Sequence, residues 1–317
     1  MKRSEGEAIS RREMVVRSGA AAATLLLPDW AGAAGGAQRA RVVVVTTKAA
    51  ISQAQPPSIA LVERMIEKGV TLLAGKSDPV QAWSSFVRPT DFVCLPNAGG
   101  QMENQPEVNI ALYRALAKLG VKRMTVGTHR MSADWRDRVL AGVGDAKPEF
   151  ITGKLFGIAH LPMDALVVTP TVKHHDISGI SGTLKLYACF SKQGPSNYHG
   201  DTPAAASANP VGAGMGGCGW VPANDFKEVR KLHIVDMIRV GTTSRDWVNH
   251  PDGWVYTRSL VFTTDPVAAD RVAFDIYLKY GQSSGRIDPL YHVNRAEEQY
   301  HAGVADLARI DIRHAVV

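Results

Sequence analysis

The sequence predicts an α/β fold: a mainly parallel or mixed sheet with helices on both faces, forming one main domain after a cleaved signal. Short runs rich in Val and Ile alternate with longer amphipathic stretches, the pattern of strands joined by crossover helices. Runs such as Val42-Val43-Val44-Val45 and Ala165-Leu166-Val167-Val168 are apolar throughout, as strands buried on both faces are. With 317 residues, 45% hydrophobic and 21% charged, the chain can bury a substantial core and is not disordered throughout.

Residues 1–37 read as a twin-arginine signal peptide and a short linker, and 38–317 as a single α/β domain. Ser10-Arg11-Arg12-Glu13-Met14-Val15 precedes a mild apolar run, 19–27, and a small-residue site, Ala31-Gly32-Ala33. That run is shorter than the roughly 20 residues a helix needs to cross a bilayer. The expectation is delivery to the periplasm by the twin-arginine export machinery, with no stable membrane anchor; the plainer reading is a disordered basic tail.

Within the domain, strands are expected at 41–46, 91–95, 123–126, 165–169, 232–238 and 259–262, and helices at 58–68, 107–119, 133–141 and 266–280. Gly69 and Gly120 stand just past two expected helix ends, where a left-handed cap is wanted. Asp265-Pro266 supplies an N-cap followed by proline at the first helical position. Residues 200–220 form an island of Gly, Ala and Pro without periodicity and read as a long loop, either a lid or a plain insertion. Its GAGMGG resembles a phosphate loop only as text, because no strand precedes it and no helix pattern follows.

The net charge is +6, and the segment up to Ala33 carries five basic and four acidic residues, so +5 remains after its removal. Charges are interspersed and no basic run alternates with aromatics, which argues against nucleic acid and for small anions as partners. Cys94, Cys189 and Cys218 lack C-x-x-C spacing, so no iron-sulfur cluster or zinc ribbon is encoded. One disulfide is compatible with an oxidising compartment, and the sequence does not choose its pair.

Ligands of parallel sheets bind outside the carboxyl ends of the strands. Beyond the expected strands lie Thr46-Thr47-Lys48, Pro96-Asn97, Gly127-Thr128-His129-Arg130, Lys173-His174-His175-Asp176, Arg239 and Thr263-Thr264-Asp265. Imidazole serves as acid, base or metal ligand near neutral pH, and a lysine of lowered pKa as nucleophile or tether. His129, His175, Lys185 and His199 all lie in or beside these loops. Each taken alone is most simply a surface or hydrogen-bonded side chain; their grouping at one edge points to a site. Gly179-x-x-Gly182 lets backbone approach a ligand and begins a helix whose amides can receive an anion, or is only a turn. Asp236, near the end of its strand, reads as a capping or solvated carboxylate, with metal ligation as the alternative. Trp135, Trp220, Trp247 and Trp254 read as core or loop anchors.

Phe86-Val87-Arg88-Pro89-Thr90-Asp91-Phe92-Val93-Cys94-Leu95-Pro96-Asn97, the segment from His175 to Lys185, His233-Ile234-Val235-Asp236-Met237 and Thr264-Asp265-Pro266-Val267-Ala268-Ala269-Asp270 resemble the family catalogued as domain of unknown function 362, from about residue 42 to 312. Many of its members carry ferredoxin-type cysteines, which this chain lacks. A more distant resemblance is to the N-terminal domain of nickel-pincer lactate racemases: Gly127-Thr128-His129-Arg130 looks like their glycine-x-histidine-arginine loop, and the stretch from His175 to Lys185 like their histidine, glycine-rich, lysine segment. That likeness implies His129 and His175 as an acid/base pair, Lys185 as the tether of a nickel-pincer nucleotide and His199 as the metal ligand. Gly179, Gly182, Arg130 and Lys173 would be further cofactor contacts. Thr183-Leu184 replaces the racemases' second glycine, and their closing domain has no counterpart here. The expected function is an exported metal- or cofactor-dependent enzyme, moving hydrogen on a small anionic substrate as an oxidoreductase or isomerase would. The alternatives are a periplasmic ligand- or metal-binding protein of the same fold, or a member with a structural role.

Overall fold

A computed structural model describes residues 38–317 apart from 99–101, 130, 145–148, 153–154, 176, 193–197, 199–213, 243–252 and 281–287. Among the described residues eleven strands share one sheet, whose main path runs β11 (Ile310–Val316), β1 (Ala40–Thr46), β10 (Ser259–Thr263), β8 (Arg230–Gly241), β5 (Ala165–Val168), β2 (Phe92–Ala98), β3 (Arg123–His129), β4 (Glu149–Thr152). Neighbours along it are parallel except around β10, which is antiparallel to both β1 and β8. Off the path, β6 (Thr171–His175) pairs with β8 and with β7 (Gly179–Ser181), and β9 (Trp254–Val255) pairs with the end of β8. The expected mixed, mostly parallel α/β sheet is the one observed.

Two apolar layers flank the sheet. Val43 and Val45 of β1 join one of them, whereas Val42 and Val44 join the other, so the four valines are buried on both faces. One layer is covered by α1 (Ile59–Ala74), α2 (Pro79–Trp83), α3 (Pro106–Leu119) and α4 (Ala133–Val143), the other by α5 (Thr183–Cys189), α6 (Pro266–Tyr277) and α7 (Tyr291–Glu298). No helix of the described residues is long and apolar enough to cross a membrane.

Most helix signals act as expected. Gly120 ends α3 at φ 93°, and Asp265 accepts from the amides of Val267 and Ala268 ahead of Pro266. Gly69 does not end α1: the helix runs to Ala74, and Gly75 caps it at φ 66°. The reason for Gly69 is proximity, since a Cβ there would lie 2.5 Å from Cζ of the buried Phe262 on β10. Gly69→Val is therefore expected to cost about 2 kcal/mol by overpacking, read as a lowered urea midpoint; an unchanged midpoint would mean that α1 has room to move. α6 ends at Tyr277, before the expected 280.

The glycine-rich island is not one loop. Residues 200–213 lie outside the described residues, but Gly214–Gly217 forms a buried 3-10 turn against α7. Cys94, Cys189 and Cys218 are free thiols, Cys189 being the more exposed of the three.

Candidate functional site

From β2 the chain crosses through α3 to β3 and on to β4, then returns to the opposite side of β2 as β5. The β2/β5 boundary is therefore the switch point of the sheet, where the carboxyl ends of such strands leave a crevice. The two strands pair only at Val93–Ala165 and Cys94–Leu166, and β2 continues beside β3 as far as Ala98. In the gap, Thr169 Oγ1 and Asn104 Nδ2 donate to Asn97 Oδ1 at 2.7 and 2.8 Å.

The strap entering α3, residues 102–105, lies at this end of the sheet, and each of its four residues is tied to β6, β8 or α4. Thr171 Oγ1 and Lys173 Nζ donate to the carbonyl of Met102, both at 3.3 Å. Arg239 Nη2 donates to the Glu103 carbonyl at 3.1 Å, and Trp135 Nε1 to that of Asn104 at 3.0 Å. The Gln105 amide donates to Asp236 Oδ2 at 2.7 Å. The Glu103 carboxylate accepts from the amide and hydroxyl of Ser132, the N-cap of α4.

Asp236 is thus neither solvated nor at a strand end. It lies inside β8, 1% exposed, capping α3 from across the sheet, and burial pushes its carboxyl up to about 6 against its amide partners. Trp135 is a buried anchor, as expected.

Lys173 is the most perturbed cation of the crevice. It does not follow a strand but lies within β6: after Pro170 the chain resumes beside β8 in the register of β5, and the register shifts between Thr171 and Lys173. Burial pulls its ammonium down to about 8; Cys189 opposes this, Lys185 adds to it, and Glu103 opposes it. At neutral pH about a tenth of such an amine is unprotonated, a few hundred-fold more than for an ordinary lysine.

Lys185 and Cys189 come from α5, one turn apart. Lys185 is 6% exposed, and its Nζ stands 3.8 Å from Cys189 Sγ. The anion-receiving helix start expected at Gly182 exists, but the protein fills it itself: both oxygens of Asp270 accept amides there, from Thr183 and from Leu184 at 2.8 Å. A Cβ on Gly182 would overlap Asp270 Oδ1 and lie 2.8 Å from Phe274 Cε1, so that glycine serves close packing rather than ligand approach. Gly179, at φ 74°, makes the turn between β6 and β7.

The histidines divide. His175 closes the β6 strand, and its Nδ1 accepts from the amides of Ile177 and Ser178, both at 3.3 Å. Two donors at Nδ1 place the proton of the neutral ring on Nε2. His129 is the last residue of β3, paired with Ala98; β2 stands between it and the β5/β6 line. Besides the two strand spacings between them, roughly 10 Å, His129 stands level with Pro170 and His175 lies further along the strand direction, so the two are not on neighbouring loops. The side chain of His129, and Arg130, Asp176, His199 and Trp247 altogether, lie outside the described residues. His233 is a satisfied core histidine, between Tyr187 Oη at 2.9 Å and the Thr263 carbonyl at 3.2 Å. Among the described residues no three His, Cys, Asp or Glu side chains are placed to hold a metal ion.

A family model described as Domain of unknown function (DUF362) matches residues 102–275. The chain belongs to the DUF362 family. The match begins at Met102, the first residue of the strap, and takes in Lys173, Lys185, Asp236, Arg239 and Asp270. It leaves out the motif at residues 86–97, so it is narrower than the span the sequence resemblance suggested. No curated protein matches the chain. Among solved structures it is similar to a protein from Thermotoga maritima, at 12% identity and a TM-score of 0.43, covering 70% of this chain and 60% of that one. A point mutant of MtNAS is also similar, at 12% identity and a TM-score of 0.22, covering 65% of this chain and 75% of that one. The DUF362 chain thus spans about three-fifths of the Thermotoga protein's length.

Glu103, Asn104 and Cys189 were not among the expected site residues. A usable signal for the first two was the polar run Asn97-Ala98-Gly99-Gly100-Gln101-Met102-Glu103-Asn104-Gln105 between an apolar strand and a helix-opening proline. Cys189 carries no such signal, because only the turn of α5 places it beside Lys185.

Proposed function

We propose that this chain is an exported enzyme that removes a proton from a small anionic oxo or hydroxy acid held in the β2/β5 crevice, with Lys173 as general base. The observation that carries the reading is a desolvated amine, titrating at about 8, on the crevice-lining strand at the switch point of the sheet. A base is most effective when its pKa lies near the working pH. The surplus of positive charge favours an anion, and the His175 Nε2–H supplies a donor on the same strand. The metal- or cofactor-dependent half of a hydrogen transfer would need an acceptor besides these residues; Lys185 and His199 are the sequence's candidates for holding one.

The test is exchange of carbon-bound hydrogen in D2O, followed by proton NMR, over a panel of small oxo and hydroxy acids. Exchange is expected for at least one acid, rising with pH through about 8 as Lys173 loses its proton. No exchange from any acid, with metal- and cofactor-replete protein from its own host, removes the proposal.

Export belongs to the same reading and rests on Arg11-Arg12, the apolar run and Ala31-Gly32-Ala33. The chain recovered from its own host should start just after Ala33 by N-terminal sequencing; an intact N-terminus in the cytoplasmic fraction would contradict it.

A further inference from the structure

We infer that the β8–β9 ribbon is the oxyanion-binding wall of this crevice, with the Arg239 guanidinium and the Trp254 indole N–H holding a carboxylate or phosphate group. The inference deepens the reading above, from which it takes the crevice as the substrate site. The Arg239 guanidinium carbon lies over the Trp254 ring, 3.9 Å from its centroid, and Arg239 reaches the strap through the Glu103 carbonyl, so it stands at the crevice wall. Buried polar atoms ordinarily have partners, yet Arg239 Nε and Trp254 Nε1 are both buried and have none among the described residues. Both are donors. Two unmatched donors on one stacked pair call for an acceptor, and a planar oxyanion meets the side-on fork of an arginine through Nε and one terminal nitrogen.

The charges around Arg239 are already engaged. Asp236, Tyr256, Glu103 and Glu107 all act on it, but Asp236 takes the Gln105 and Ile238 amides, Glu103 takes Ser132, Glu107 is paired with Arg138, and burial keeps the Tyr256 phenol protonated. Among the described residues Arg239 has no ion pair of its own. The contact with the indole and the bond to the Glu103 carbonyl hold the guanidinium in place, so a ligand does not have to order it.

The experiment is calorimetric titration of the full exported chain with acetate, pyruvate and inorganic phosphate, comparing wild type, Arg239→Lys and Trp254→Phe. Lysine keeps the charge and loses the fork; phenylalanine keeps the ring and loses the N–H. Binding is expected to weaken tenfold or more in Arg239→Lys and three- to tenfold in Trp254→Phe. The Trp254 indole proton of wild-type protein should shift downfield on adding the bound anion, a readout that survives misfolding of either variant. Wild-type affinity in both variants, an indole proton that does not move, or no binding of any of the three anions by wild type overturns the inference. Its failure is separable from that of the base: anion binding without hydrogen exchange removes only Lys173's role, and exchange indifferent to Arg239→Lys removes only the wall.

Discussion

Lys173→Met is expected to abolish hydrogen exchange, by a factor of about 10²–10⁴, while leaving the protein folded. Methionine keeps most of the apolar stem and removes only the amine. The Met102 carbonyl retains Thr171 Oγ1 as a donor, so the strap keeps one of its two ties at that residue. The stability effect has a definite sign. Lys173 titrates at about 8 when folded against the ordinary 10.5, so between those values the unfolded chain holds a proton that the folded chain does not. Its contribution to stability is therefore complete above pH 10.5 and lost as pH falls through 8. Methionine does not titrate, so the variant should exceed wild type in melting temperature at pH 7 and lose that advantage by about pH 10.5. A variant that retains exchange would show that another group takes the proton. One that unfolds at pH 7 would show that the strap depends on the ammonium.

Asp270→Ala should carry the largest cost in stability. The carboxylate accepts the first two amides of α5, more than eighty residues away in sequence, inside the packed layer between α5 and α6. A buried amide left without its acceptor costs about 1–3 kcal/mol, so losing both partners is expected to cost about 3 kcal/mol or more. For a domain of this size that lowers the melting temperature by roughly 10 °C. Asp270→Asn keeps one acceptor oxygen and should cost about half as much. Burial pushes the carboxyl up to about 7, above its ordinary 3.8, with the amides opposing. The Asp270 contribution is then greatest below about pH 3.8 and declines as pH rises through 7. The gap between wild type and Asp270→Ala should narrow over that interval in thermal melts. A gap that widens instead would mean that the amides, not burial, govern the carboxyl. Because α5 also carries Lys185 and Cys189, the same variant should disturb the reactivity of Cys189 toward a thiol reagent before it unfolds the sheet.

Much of the frame was legible because its causes are local. A continuous valine run, Asp265-Pro266 before a helix and Gly120 after one each act through immediate neighbours, and each was read correctly. Gly69 misled because a glycine admitted for the approach of Phe262 looks, in sequence, the same as a glycine that ends a helix. The stretch VKHHDISGISGTLK misled in another way. Its polarity suggested a loop beyond a strand, whereas it is a strand, a turn, a second strand and the first turn of α5. Its glycines and histidines mostly build that hairpin: Gly179 turns it, His175 caps it and Gly182 admits Asp270. Lys173, at its start, holds the chemistry of greatest interest.

The sequence by itself determined the alternation of strands and helices, the burial of the central strands on both faces and the edge at which polar residues collect, since periodicity and capping need only neighbouring residues. The tertiary structure alone decided which polar residues share a crevice, that Asp236 caps a helix and Asp270 fills another, and that burial pulls the Lys173 ammonium down to about 8. Those outcomes depend on desolvation and on partners distant along the chain, and both exist only once the sheet has brought β2, β6 and β8 together.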